Sequence, residues 1–143
     1  MKWIRRLRSA FAIIEPAAFA FARWRCPFCG PSLLVRLNRA DHGVRCARCA
    51  AGAIHLSLGA ALRAHVRDLA DRDAYELSAR GPLVDFLRRS ARSLAVSEYL
   101  PDAPCGSERG GVRSEDVQRL TFADASFDLV THTEVLEHVP DDA

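Results

Sequence analysis

The chain lacks any apolar run long enough and free enough of charge to cross a membrane as a helix. Its formal net charge of +2 over 143 residues is too slight to mark the whole chain as a nucleic-acid binder. Aromatic residues are scarce, at 8%, while Ala and Arg are abundant, a bias that carries no function of its own. A convincing secretory signal is also missing. The basic start leads into an apolar stretch, and Ala18-Phe19-Ala20 has the small-residue pattern of a cleavage site, but Glu15-Pro16 interrupts the apolar region. What is present is enough apolar residue, 49%, to build a globular core. The length suits one domain, or a small module plus part of another.

Four of the five cysteines form two Cys-x-x-Cys pairs, Cys26/Cys29 and Cys46/Cys49, with sixteen residues between Cys29 and Cys46. Without a secretory signal, this argues for a reducing compartment, the cytoplasm, and for a metal rather than disulfides. Each Cys-x-x-Cys turn brings two sulfurs to one side of an ion, and two facing turns complete a tetrahedral zinc shell. Between them, Leu33-Leu34-Val35 is a strand and Asp41-His42-Gly43 a turn, the pattern of a zinc ribbon. The expected ligands are Cys26, Cys29, Cys46 and Cys49; a redox pair or unliganded thiols is the competing reading. A four-thiolate shell is closed, so the zinc is expected to be structural. His42 and His55 then have no vacancy to fill. Arg36, Arg39, Arg45 and Arg48 give the module a basic side, either solvated or turned to RNA or another acidic partner. Cys105 stands alone, with no role assigned.

The modules divide the chain as 1–25, 26–55, 56–73 and 74–143. In the first, Trp3, Leu7, Phe11 and Ile14 recur at helical spacing beside Arg5, Arg6 and Arg8. Residues 1–14 suit a helix packing on its own protein; membrane-surface contact and a signal peptide are the other readings. In the third, Leu58, Ala61, Leu62, His65, Val66 and Leu69 mark an amphipathic linking helix, with His65 packed rather than catalytic.

The stretch Asp116–Pro140 organises the last module. Phe127–Val130 reads as a buried parallel strand, Thr131-His132-Thr133 as its carboxyl lip, and Glu134–Val139 as the start of a helix. Ligands of open α/β sheets bind outside the carboxyl ends of the strands. Asp116 and Thr131–Thr133 therefore fall where a small ligand is held.

These residues carry a resemblance. Asp116, Leu120, Thr121, Phe122, Asp124, Ser126, Phe127, Asp128, Val130, Val135, Leu136, Glu137, His138 and Val139 stand in unbroken order. They follow the pattern D-x-x-x-L-(T/P)-F-x-D-x-S-F-D-x-V-x-x-x-x-V-L-E-H-V. The stretch resembles class I S-adenosylmethionine (SAM)-dependent methyltransferases of the type 11 domain. The resemblance implies an α/β fold, a partial Rossmann-like sheet preceded by the zinc-ribbon module. It implies SAM as methyl donor, with the acceptor, a small molecule or RNA, unspecified. Glu76 matches the acid ending the first strand, and Gly81 the turn after it, although the family's run of several glycines is absent. Ser93–Tyr99 is the second strand, and Glu98 at its end corresponds to the acid that takes the ribose hydroxyls. The loop Leu100–Gly111 replaces a helix, and Gly111–Val117 is the third strand. Asp116 would accept from the adenine amino group, Val117 would pack on the base, and Thr131 and His132 would line the methionine end. His138 is the candidate general base. The family fold continues beyond residue 143, so the expectation is an amino-terminal part with weak or no catalysis. The alternative is a ribbon module contacting RNA or protein, joined to a non-catalytic remnant.

Overall fold

The computed structural model describes residues 14–40 and 42–139. The helix expected over residues 1–14 falls outside them, Ile14 apart. The chain divides between His65 and Val66 into two compact units.

The first unit is a three-stranded antiparallel sheet in the order β1 (Ala20–Cys26), β2 (Gly30–Arg36), β3 (Val44–Cys46). The register pairs Ala20 with Arg36 and Cys26 with Gly30, so Pro27-Phe28-Cys29 is the tip of a hairpin. Leu34 pairs with Cys46 and Arg36 with Val44. The β2–β3 turn is drawn in by Asn38, whose Oδ1 accepts the Ala40 amide at 3.1 Å. Gly43 sits over that side chain: an added Cβ would lie 2.1 Å from Asn38 Oδ1 and 2.7 Å from the Asn38 carbonyl oxygen. No side chain fits there without moving backbone.

Helix α1 (Ala53–His65) follows in the same unit and buries Leu56, Gly59 and Leu62. Gly59 lies against the first hairpin tip, since a Cβ there would meet the Phe28 ring at 2.7 Å. The helix starts earlier and ends sooner than the expected 56–73. Its inner stripe is also rotated, leaving Ala61 and His65 exposed. Asp68, at φ 53, introduces a single 3-10 turn, Leu69–Asp71, so Leu69 lies outside the helix.

The second unit is a five-stranded sheet. Its strands are β4 (Asp73–Glu76), β5 (Ser93–Glu98), β6 (Glu108–Arg109), β7 (Val112–Ser114) and β8 (Leu129–Thr131), in the order β6-β7-β5-β4-β8. All but β6 run parallel. Helix α2 (Pro82–Ser90) bridges β4 and β5 and buries Leu83, Val84, Phe86 and Leu87. Pro82 suits its first turn, where no amide partner is needed. Gly81 before it takes φ 120, open to glycine and closed to most side chains. At the amino ends of the strands Arg92 clamps Asp73 and reaches Asp128 at 3.6 Å. Hydrogen bonds from Arg92 and then Ser93 pull the Asp73 carboxyl down to about 2.

Three expected bounds change. The second strand stops at Glu98, because Tyr99 opens the following loop. The third strand shortens to Val112–Ser114 and pairs with β6 in a hairpin. Gly110 and Gly111 turn it with φ 61 and 77, as a two-residue hairpin requires. The helix expected from Glu134 is a 3-10 turn, Leu136–His138, because Glu134 takes φ 54 and interrupts the backbone just before it.

Gly43→Ala should lower the stability of the first unit by about 1–3 kcal/mol, the usual cost of forced overpacking. A urea titration followed by Trp24 fluorescence reads it, and an unchanged midpoint would refute the turn geometry.

Candidate functional site

Two places collect chemistry. In the first unit Cys26, Cys29, Cys46 and Cys49 present Sγ atoms all within 4.8 Å of one another. Cys26 Sγ lies 3.7 Å from Cys49 Sγ, and Cys29 Sγ 3.5 Å from Cys46 Sγ. A tetrahedron with metal–sulfur bonds of about 2.3 Å has edges of about 3.8 Å, so the donor set fits a zinc-sized ion. The hairpin tip holds the first pair, and the turn after β3 holds the second. There the Cys46 amide donates to the Ala51 carbonyl and the Ala50 amide to the Cys46 carbonyl, both at 2.9 Å. Arg48 ties the two turns together through the Cys29 carbonyl at 3.0 Å.

The electrostatics agree with that donor chemistry. Burial pushes the Cys29 thiol far up and the Cys49 thiol to about 11. Burial also raises Cys46, but hydrogen bonds from Ser32 and from the Cys49 and Arg48 amides outweigh it and bring it down to about 6. Four crowded thiols cannot all ionise by themselves; a divalent cation reverses the balance.

The second place is the carboxyl end of the parallel sheet. A cavity of about 320 Å³ is lined there by Tyr75, Ser97, Tyr99, Asp116, Val117 and His138, among others. Asp116 Oδ1 accepts the Gln118 amide at 3.0 Å, and the residue lines the cavity. Tyr75 and Ser97 share a hydrogen bond of 2.7 Å on its wall. His138 lies at the rim, with its side chain 77% exposed and 3.5 Å from Glu137.

The other expected residues cluster on the turn after β4. Glu98 alternates with Ser97 and Tyr99 along β5, so it points to the opposite side of the strand. Its Oε1 accepts the Ala79 amide at 3.0 Å. Glu76 is buried and accepts from the Thr131 hydroxyl. The structure thus brings Asp116, Val117 and His138 together at the cavity. It brings Glu76, Thr131, Glu98 and Gly81 together around the β4–α2 turn.

Glu115 was not anticipated. It is 3% exposed and borders the same cavity. Arg113 Nε donates to its Oε1 at 2.6 Å, and the Thr121 amide to its Oε2 at 2.9 Å. Burial pushes its carboxyl up, but Thr121 and Arg113 outweigh it and hold it below the usual carboxylate range. Its signal in sequence was Ser114-Glu115-Asp116, where a one-residue change of parity decides which acid turns inward.

The motif aromatics fold over the same face. Phe122 and Phe127 lie 4.9 and 5.1 Å from the Tyr75 ring, and the Arg113 guanidinium sits 4.5 Å from the Phe122 centroid.

The family model described as a methyltransferase domain matches residues 49–143, well over half of the chain. The chain belongs to this methyltransferase family. The parallel strands of its second unit, in the order β7-β5-β4-β8, fit the Rossmann-like class I sheet, which this family assignment supports. The match begins at Cys49, inside the four-cysteine cluster. No curated protein matches the chain at the level of a relative, and no solved structure matches it. Among the described residues no helix of this chain is long and apolar enough to cross a membrane.

Glu76 gives the domain a pH signature. Burial raises its carboxyl from 4.5 to about 7, opposed by hydrogen bonds from Thr131 and Ser78 and reinforced by the Glu98 charge. Between those values the folded chain holds a proton that the unfolded chain has released, so stability falls as pH rises through that window. Glu76→Gln is neutral throughout. Relative to the wild type it should gain stability from pH 4.5 to 7, by up to about 3 kcal/mol. Urea midpoints measured against pH for both proteins check this; a constant difference between them would count against the buried acid.

Proposed function

We propose that the second unit holds SAM at the carboxyl ends of β4, β5 and β7 and serves a methyl transfer. The observation that carries this reading is the cavity bordered by Asp116 and Val117 at the end of a parallel, Rossmann-ordered sheet. When bound, the donor would supply a methyl group on a sulfonium centre, which an acceptor nucleophile would take as the carbon–sulfur bond breaks and the neutral thioether leaves. What the protein contributes is mainly alignment.

Asp116 lines the cavity, and we assign its carboxylate to accept from an amino group, with Val117 beside it as an apolar wall for a flat base. Glu98 lies on the other side of β5 from that cavity, against the Ala79 amide, so it would meet the ribose hydroxyls only of a ligand that crosses the tips of the strands. Glu76 and Thr131 hold the turn from below, and Gly81 lets its backbone come close to the ligand. We assign to His138, exposed at the rim, the role of taking a proton from an incoming acceptor. The acceptor itself is left open.

For the first unit we propose a structural zinc ion on Cys26, Cys29, Cys46 and Cys49. The sulfur spacing and the closed four-thiolate set support it. Ligands that must stay reduced suit the cytoplasm.

Isothermal titration of SAM into the full chain should show one site. Asp116→Asn should weaken it about tenfold or more, the usual loss for a charge-assisted hydrogen bond. An absence of heat at millimolar SAM with the wild type would remove the donor assignment.

The purified protein should carry one equivalent of zinc by elemental analysis, and cobalt substitution should give the visible spectrum of a tetrahedral thiolate site. Cys26→Ser should lose the metal and lower the melting temperature, as chelation should in the wild type. A metal-free protein with an unshifted melt in chelator would rule the ion out.

A further inference from the structure

The slight net charge of the whole chain conceals a partition. Residues 1–65 carry eleven Lys and Arg side chains against two Asp and Glu, whereas residues 66–143 carry nine against sixteen. The first part is therefore +9 and the second −7. Among the described residues of the first unit, Glu15 is the acidic side chain, against seven arginines.

The sheet register places three of those arginines on one face. Phe21 pairs with Val35 and Val35 with Arg45, and Arg23 pairs with Leu33. Paired residues stand on the same side of an antiparallel sheet, so Phe21, Arg23, Arg25, Leu33, Val35 and Arg45 share a face. Cys26, Leu34 and Cys46 have the opposite parity and take the other side, which holds the thiols. Phe21 is 68% exposed, the most exposed of the large apolar side chains among the described residues, and Leu33 is 39% exposed. Arg23, Arg25 and Arg45 are exposed as well, and none forms an ion pair among the described residues.

We propose that this face binds single-stranded RNA, with a base stacked on Phe21 and phosphates neutralised by Arg23, Arg25 and Arg45. An unscreened aromatic among unpaired arginines on a flat sheet is the arrangement that stacks an unpaired base and holds its backbone. Phe21, Arg23 and Arg25 follow one another at about 6.7 Å along the strand. That step is close to the spacing of successive nucleotides in an extended strand, so a single strand can run along β1 with one contact per nucleotide. Arginines that follow the aromatic in register along one strand suit a polyanion whose bases and phosphates also recur along a line; an anionic lipid surface is the other occupant, which the vesicle arm below tests. This binding is independent of the SAM assignment, because it is read without SAM and on the other unit.

The test is fluorescence anisotropy of the zinc-loaded full chain with a labelled uridine dodecamer, a duplex RNA of equal length, and a vesicle arm of phosphatidylserine and phosphatidylcholine. The dodecamer should bind more tightly than the duplex. Three phosphate contacts predict a log–log salt slope of about −2. Phe21→Ala should weaken binding about tenfold and Phe21→Trp should preserve it, since one stacked base is lost in the first and kept in the second. Arg23→Gln and Arg25→Gln should each reduce the slope by about 0.7. Zinc content and melting temperature, unchanged in each variant, confirm that the fold is intact. The proposal is overturned by an absence of RNA binding, by equal affinity for the duplex, by indifference to Phe21→Ala, or by capture on anionic vesicles without RNA binding.

Discussion

Strand β4 is the constraint on which the second unit depends. It has only four residues, and both of its edges are taken by parallel neighbours, β5 on one side and β8 on the other. Ala74, Tyr75 and Glu76 are at most 1% exposed. Backbone buried this deeply needs hydrogen bonds on both edges, so β5 and β8 must both dock before β4 is stable. Everything that follows from its alternation is then fixed. Tyr75 turns to one face and seats Phe122 and Phe127. Glu76 turns to the other and must find hydroxyl donors, which Thr131 on β8 and Ser78 in the following turn provide. The aromatic and acidic positions of the carboxyl-terminal motif are thereby answers to demands set by a strand some fifty residues earlier in the chain.

Much of this was legible in the sequence, and the parts that were not have physical reasons. Sulfur spacing alone brought four cysteines together, because a Cys-x-x-Cys turn is a local geometry that hardly depends on the rest of the fold. The parallel strands were legible from apolar runs and from the motif. Local backbone exceptions were not: the positive φ of Glu134 and Asp68 comes from residue types that ordinarily extend helices or cap them, so nothing in composition announced the breaks. The rotation of the α1 stripe is of the same kind, since Leu56, Gly59 and Leu62 form as regular a series as Leu58, Ala61 and His65. Gly59 is chosen by the Phe28 ring pressed against it, a contact far along the chain. Charge failed for a different reason, because a sum over the whole chain cancels two units of opposite sign.

Around the cavity, the acids separate by how much of their hydrogen-bonding capacity is already used. Glu115 accepts from Arg113, from the Thr121 amide and from the Thr121 hydroxyl, which satisfies a buried carboxylate and keeps it ionised. Such a group shapes the wall and sets the local field, but it has little left to offer a ligand. Glu76, buried and held toward its neutral form, is likewise committed to the turn. Asp116 differs from both. Among the described residues a single backbone amide, from Gln118, orients its side chain through the short turn that the side chain closes, and the residue lines the cavity. A group oriented by the protein and still able to accept is the one that can discriminate a ligand, because a mismatched ligand would leave it desolvated without a partner. The fold therefore divides adjacent acids between two tasks: Glu115 keeps the end of the third parallel strand in place, and Asp116, one residue later and of the other parity, is presented to whatever enters.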